Sequence, residues 1–133
     1  MDVLTIVNLS KQWLFRMWSP QLGITQFNNC PELQNVSLGN GVTSVGEGAF
    51  WSCPKLESLV FPESVTEIKG GVFHDCPNLK DLTLPDGLAD VPANLFYDKY
   101  SMPADVSNLT IRVESSMVSY VQSIYSEANV VSK

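Results

Sequence analysis

Cys30, Cys53 and Cys76 are separated by 23 residues and then by 23 again, and each is followed by a proline: Pro31, Pro54 and Pro77. A fixed period of this kind limits a chain to stacked-repeat architectures, and it is read before any local propensity. Alignment of CPELQNVSLGNGVTSVGEGAFWS, CPKLESLVFPESVTEIKGGVFHD and CPNLKDLTLPDGLADVPANLFYD brings seven apolar columns into register. They are Leu33/Leu56/Leu79, Val36/Leu59/Leu82, Leu38/Phe61/Leu84, Val42/Val65/Leu88, Val45/Ile68/Val91, Ala49/Val72/Leu95 and Phe50/Phe73/Phe96.

A 23-residue unit cannot enclose a core alone, so each copy must bury its inward face against the next. The alternations Val36-x-Leu38, Leu59-x-Phe61 and Leu82-x-Leu84 predict a short strand per repeat with one face buried. Strands one repeat apart would pair as a parallel sheet, with Val36, Leu59, Leu82 and Leu109 at matching positions. Pro62 and Pro85 end two of these strands, because proline has no N–H for the ladder. The Val-x-x-Val/Ile group runs up the return side, with glycines near its bends. The segment from Phe50 to Leu56 and its equivalents reads as a short helical turn.

The flanks follow the period less closely. Stepping the register back places Trp13, Phe15, Leu22 and Phe27 on inward columns, so residues 1–29 contain a degenerate N-terminal coil. Residues 30–98 hold three regular repeats, and residues 99–133 an insertion, a last strand and a cap, all in one domain. Phe96 to Leu109 is four residues longer than Phe73 to Leu82, which locates the insertion in YDKYSMPADVSN. LTIRV supplies the next strand. Met117, Val118, Val121, Ile124, Tyr125 and Ala128 then fall at helical spacing and, with Val130 and Val131, form a C-terminal cap. The expected fold is an α/β right-handed solenoid.

Columns of the form Cys-Pro-x-Leu-x-x-Leu-x-Leu-Pro-x-x-Val-x-x-Ile-x-x-x-x-Phe resemble leucine-rich repeats of the BspA type. The best copy here is CPKLESLVFPESVTEIKGGVF. Residues 28–98 resemble the family closely, and residues 13–131 do so with the caps included; WLFRMWSPQLG departs most. The resemblance implies a surface-exposed or secreted protein linked to adhesion and protein binding, and it carries no catalytic motif.

Composition narrows the partners. With 8 basic against 14 acidic residues the chain has a formal charge of -6, which repels phosphate backbones and anionic lipid surfaces. Nucleic acid and membrane insertion are therefore not expected. MDVLTIVNLS places Asp2 where a secretory signal carries positive charge, so it is not such a signal as it stands. That leaves an intracellular protein or a segment of a longer chain.

Each chemical candidate has a plain counterpart. Zinc needs converging ligands, usually from close Cys-x-x-Cys pairs, and stacked repeats would spread three sulfurs over roughly 9–10 Å. The cysteines are therefore expected as a column of reduced, buried, metal-free thiols. His74, the single histidine, continues a side ladder with Trp51 and Tyr97 rather than standing beside a nucleophile. The glycines of GNGVTSVGEG lack the spacing of a phosphate loop. Asn8, Asn35 and Asn108 match the glycosylation pattern without further support.

The outward strand positions form an expected concave face of short polar residues in which Arg112 is the single residue of hot-spot type. The insertion offers Tyr97, Tyr100 and Met102 on a loop freed from the stacking rule. The candidate partner-binding residues are thus Trp51, His74, Tyr97, Tyr100, Met102 and Arg112. No cofactor is expected. The expected function is a non-catalytic module for protein–protein interaction, with a host or matrix protein among its candidate partners. The alternatives are the terminal segment of a longer repeat stalk and a glycan-binding surface. The chain is expected as a monomer unless Trp13, Met17 and Trp18 drive association at the N-terminal end.

Overall fold

A computed structural model describes the backbone of residues 5–9, 12–16 and 21–22, and residues 27–97 and 100–133 in full. The N-terminal strands are β1 (Thr5–Leu9), β2 (Gln12–Arg16) and β3 (Gln21–Leu22). The repeats then give β4 (Asn35–Ser37), β5 (Ser44–Val45), β6 (Ser58–Val60), β7 (Glu67–Ile68), β8 (Phe73–His74), β9 (Asp81–Thr83) and β10 (Phe96–Tyr97). The C-terminal elements are β11 (Thr110–Val113), a 3-10 turn at Ser115–Met117, α1 (Val118–Ile124) and β12 (Asn129–Ser132).

Three sheets line the sides of the stack. The longest has seven strands in the order β1-β2-β4-β6-β9-β11-β12; the others are β3-β5-β7 and β10-β8. Pairing keeps the 23-residue step, with Trp13 opposite Val36, Val36 opposite Leu59 and Leu59 opposite Leu82. Leu22, Val45 and Ile68 do the same on the second side. On the third, the N–H groups of Phe27, Phe50 and Phe73 donate to the carbonyls of Ala49, Val72 and Leu95 at 3.0, 3.0 and 2.9 Å.

The phenylalanine column becomes the spine of the core. Phe27, Phe50, Phe73 and Phe96 are all buried, and their rings stack with centroids 5.0, 5.8 and 5.5 Å apart. Burying one such side chain contributes roughly 1.5–3 kcal/mol, and offset ring pairs add to that. Tyr125 ends the column with its ring edge on Phe96 at 5.3 Å. Helix α1 stops where the Gln122 side-chain amide reaches the carbonyls of Tyr125, Ser126 and Ala128 at 3.2, 3.2 and 3.1 Å. That side chain takes the place of continued helix for those open carbonyls.

Three features differ from the sequence expectation. The residue opposite Leu82 is Ile111, not Leu109. Leu109 instead donates its N–H to Val106, as Leu79 does to Cys76 and Leu56 to Cys53, so it closes the turn before the strand. Phe96 to Ile111 spans fifteen positions where Phe73 to Leu82 spans nine, and the insertion is six residues net rather than four.

The N-terminal coil holds its register, but β1 folds back antiparallel on β2, pairing Thr5 with Arg16 through Leu9 with Gln12. That hairpin has no counterpart in the repeat. Met17 and Trp18 lie outside the described residues, and of Trp13 the backbone alone is described.

The turns at Cys-Pro are single turns closed by one hydrogen bond, such as Leu56 N–H to Cys53 at 3.1 Å. Regular helix among the described residues is confined to residues 115–124. Each turn begins from a left-handed residue, Asn29, Ser52 or Asp75, with φ of 56°, 58° and 57°. Short polar side chains of this type tolerate that conformation better than branched ones.

Candidate functional site

The thiol column is a feature of packing. Cys53 is fully buried and donates its S–H to the Phe27 carbonyl at 3.1 Å; Cys76 repeats this one coil later with the Phe50 carbonyl at 3.0 Å. Cys30 and Cys76 are half-buried, which corrects the expectation that all three are buried. All three are free thiols. The neighbouring Cys53 thiol and burial push the Cys76 thiol up, and burial foremost raises that of Cys30. No group of three metal-binding side chains occurs among the described residues.

The outer face of the seven-stranded sheet presents two columns: Asn35, Ser58, Asp81, Thr110 and Asn129, beside Ser37, Val60, Thr83, Arg112 and Val131. Several of its polar side chains are spent on one another. Arg112 meets Asp81 through two parallel hydrogen bonds, Nε to Oδ1 at 3.2 Å and Nη2 to Oδ2 at 3.0 Å. Ser58 donates to Asn35 Oδ1 at 2.8 Å. A guanidinium already forked onto a carboxylate has given up much of its capacity to bind a partner. Val60 is a large apolar residue of this face, 60% exposed.

The side ladder forms as the repeat implies. Trp51 and His74 lie 4.9 Å apart between ring centroids, and His74 and Tyr97 lie 6.1 Å apart, each pair tilted by 46°. Trp51 is 44% exposed. The insertion folds back over the far end of this ladder. Tyr97 bridges antiparallel to Pro103, Ala104 N–H donates to Phe96 at 3.3 Å, and His74 Nε2 lies 3.1 Å from Ser101 Oγ.

A serine on a strained backbone (Ser101 φ 60°) beside an imidazole invites comparison with a nucleophile–base pair. Such a pair needs a third group to orient the ring through its other nitrogen. Nδ1 of His74 is buried and has no hydrogen-bond partner among the described residues. The contact links the insertion to the second regular repeat.

Ala104 and Val106 pack against the core where the repeat is interrupted, with Val106 in the place of a column cysteine. The seal is made by these two residues, which leaves Tyr100 73% and Met102 59% exposed. Between the insertion and the Cys76–Lys80 turn runs a groove of ≈ 910 Å³. Pro77, Leu79, Pro103 and Val106 supply its apolar lining, Tyr97 and Tyr100 its rings, and Asp75, Asp105 and Lys80 its charges.

Of the six candidates, Tyr97, Tyr100 and Met102 cluster at the insertion, and Trp51 and His74 extend the cluster along the ladder. Arg112 lies apart on the sheet. The acidic and proline positions of the groove were missed by sequence reasoning, because a wall made of two segments leaves no single motif.

The BspA type leucine rich repeat region matches residues 19–128 in six copies. Among solved structures, the chain is similar to a leucine rich cell surface protein of Faecalibacterium prausnitzii A2-165. The two share 24% identity at a TM-score of 0.71, over 92% of this chain and 32% of that one. A leucine-rich repeat protein of Bacteroides ovatus ATCC 8483 is similar at 20% identity and a TM-score of 0.66, over 92% of this chain and 30% of the other. The chain thus spans about a third of the length of each. No curated protein matches it. No helix among the described residues is long and apolar enough to cross a membrane. With most of its length covered by the repeat, the chain belongs to the BspA type leucine-rich repeat family.

Proposed function

We propose that the chain is a non-catalytic protein-binding module of a cell-surface or secreted protein, serving adhesion, and that it meets its partner through the insertion and the adjoining side ladder. The observation that carries this is the exposure of Tyr100 and Met102 on a loop whose sealing work falls to Ala104 and Val106. Exposed aromatic side chains on a tethered loop lose little freedom on binding, and Tyr is enriched among the residues that dominate interfaces. Among the described residues, the sheet face has its arginine, Arg112, paired and lacks such an anchor.

The test begins with capture of extracellular matrix and host-cell surface proteins on the immobilised chain. Tyr100→Ala is then expected to weaken the captured complex by about 1–2 kcal/mol, with the melting temperature unchanged. A large fall in melting temperature, with affinity retained by the folded fraction, would assign the insertion to the scaffold.

A second reading, a segment of a longer repeat stalk, is favoured by the length of the two similar structures, of which this chain spans about a third. Size-exclusion chromatography separates the two. A sharp monomer peak supports the self-contained module, and end-to-end association supports the stalk.

A further inference from the structure

Resting on that reading of the insertion, we propose that the groove beneath it takes a basic stretch of the partner protein, an extended segment bearing Lys or Arg. The charged heads sit on Asp75 and Asp105, and the side-chain stems lie along the prolines and tyrosine rings.

At ≈ 910 Å³ the groove has room for several side chains. Among the described residues, its two carboxylates come from opposite walls, Asp75 from the third side of the stack and Asp105 from the insertion, against the single ammonium of Lys80. Both carboxylates are held in place. Asp75 takes its left-handed backbone with its N–H on the Tyr97 carbonyl at 2.7 Å, and its Oδ2 accepts the Ser52 hydroxyl at 3.2 Å. Asp105 Oδ1 accepts the Ser107 N–H at 2.9 Å, which keeps its carboxyl below the usual range and so ionised.

The rest of the lining suits long aliphatic stems: Pro77, Leu79, Pro103 and Val106 are apolar, and the faces of Tyr97 and Tyr100 attract cations. An acidic segment would be repelled by both walls and by the chain's net charge of -6. A neutral glycan could use the rings but would leave the paired charges without a counterpart.

The proposal is tested by panning the whole chain against a displayed library of random dodecapeptides. Enrichment of Lys and Arg in the bound sequences is expected. The best clone, made as a labelled peptide, should bind about tenfold more weakly when salt rises from about 50 to 300 mM. Asp75→Asn combined with Asp105→Asn should reduce its affinity about tenfold or more. These substitutions keep the acceptors for Ser52 and Ser107, and Asn suits the backbone of position 75, so the melting temperature serves as the control for folding.

Enrichment of neutral or acidic sequences, no enrichment, or equal binding by the double variant overturns the proposal. So does a neutral oligosaccharide that saturates the groove where the basic peptide does not. Partner capture lost in Tyr100→Ala but intact in the double variant leaves the insertion as the binding surface and removes the basic segment. Capture intact in Tyr100→Ala and lost in the double variant overturns the aromatic anchor and keeps the charge.

Discussion

A side chain's column in a stacked repeat fixes which way it points, but its exposure depends on what the neighbouring loops cover. The cysteines show the difference. Their 23-residue spacing placed them in one inward column, whereas only Cys53 is closed off from solvent and Cys30 and Cys76 are half-buried. Thiol reagents attack the thiolate, and the raised pKa of Cys30 and Cys76 keeps both protonated at neutral pH. Native labelling is therefore expected to be slow at these two, to quicken as pH rises, and to be absent at Cys53 until the chain unfolds. Mass spectrometry after brief alkylation checks this, and Cys53 reacting first would contradict it. Phe73 was equally legible, and here burial follows: it stacks between Phe50 and Phe96 and receives an edge contact from Phe61 at 6.2 Å. Phe73→Ala should cost about 3–5 kcal/mol, read as a lowered urea midpoint with the slope kept.

Among the elements, the strands of the regular repeats were readable because period-two alternation coincided with the 23-residue register. The last strand broke the inference for a physical reason. In Leu109-x-Ile111-x-Val113 every second residue is apolar and buried, so registers two residues apart satisfy the same pattern. The choice falls to the insertion, where Leu109 closes the turn on the Val106 carbonyl and leaves Ile111, two positions on, to pair with Leu82. The N-terminal hairpin was not legible either, since nothing in Thr5–Leu9 distinguishes a strand that turns back from one that coils onward.

The C-terminal cap was anticipated as a helix, but the tyrosine that fastens it was not. Tyr125 donates its hydroxyl to the Pro92 carbonyl and accepts the Leu95 N–H at 3.3 Å. Tyr125→Phe should cost about 1–3 kcal/mol, because both backbone groups lose their partner in a buried place, measured by chemical denaturation. Burial above all pushes the Tyr125 hydroxyl up to about 12 from 10.0. Below about pH 10 both folded and unfolded chains hold that proton, and its contribution is intact. Between about 10 and 12 the unfolded chain ionises first, so stability falls with rising pH through that window. Tyr125→Phe should flatten that fall, and an identical alkaline slope in the variant would assign it to other groups.

For the molecule as a whole, stability is a sum over neighbouring interfaces, because each repeat touches only the repeats beside it. The strands at the middle of the long sheet, β6 and β9, have a ladder partner on both sides, whereas β1 and β12 each have one. The phenylalanine spine follows the same logic, with Phe50 and Phe73 stacked on both faces and Phe27 and Phe96 serving toward the ends. The Lys133 ammonium partly offsets the weakness of the C-terminal edge. It reaches back to Glu63 and Asp86, both at 2.7 Å, and so ties the last strand to the bends of the second and third regular repeats. Native-state amide exchange should therefore be slowest at Leu59 and Leu82 and quicken toward both edges. Lys133→Ala should speed exchange in Asn129–Ser132 first, for a stability loss of about 0.5–1 kcal/mol given the exposure of the acidic partners. If Lys133→Ala instead speeds exchange evenly from β2 to β12, the stack opens as one cooperative block. Neighbour-by-neighbour additivity would then be the wrong description of this chain.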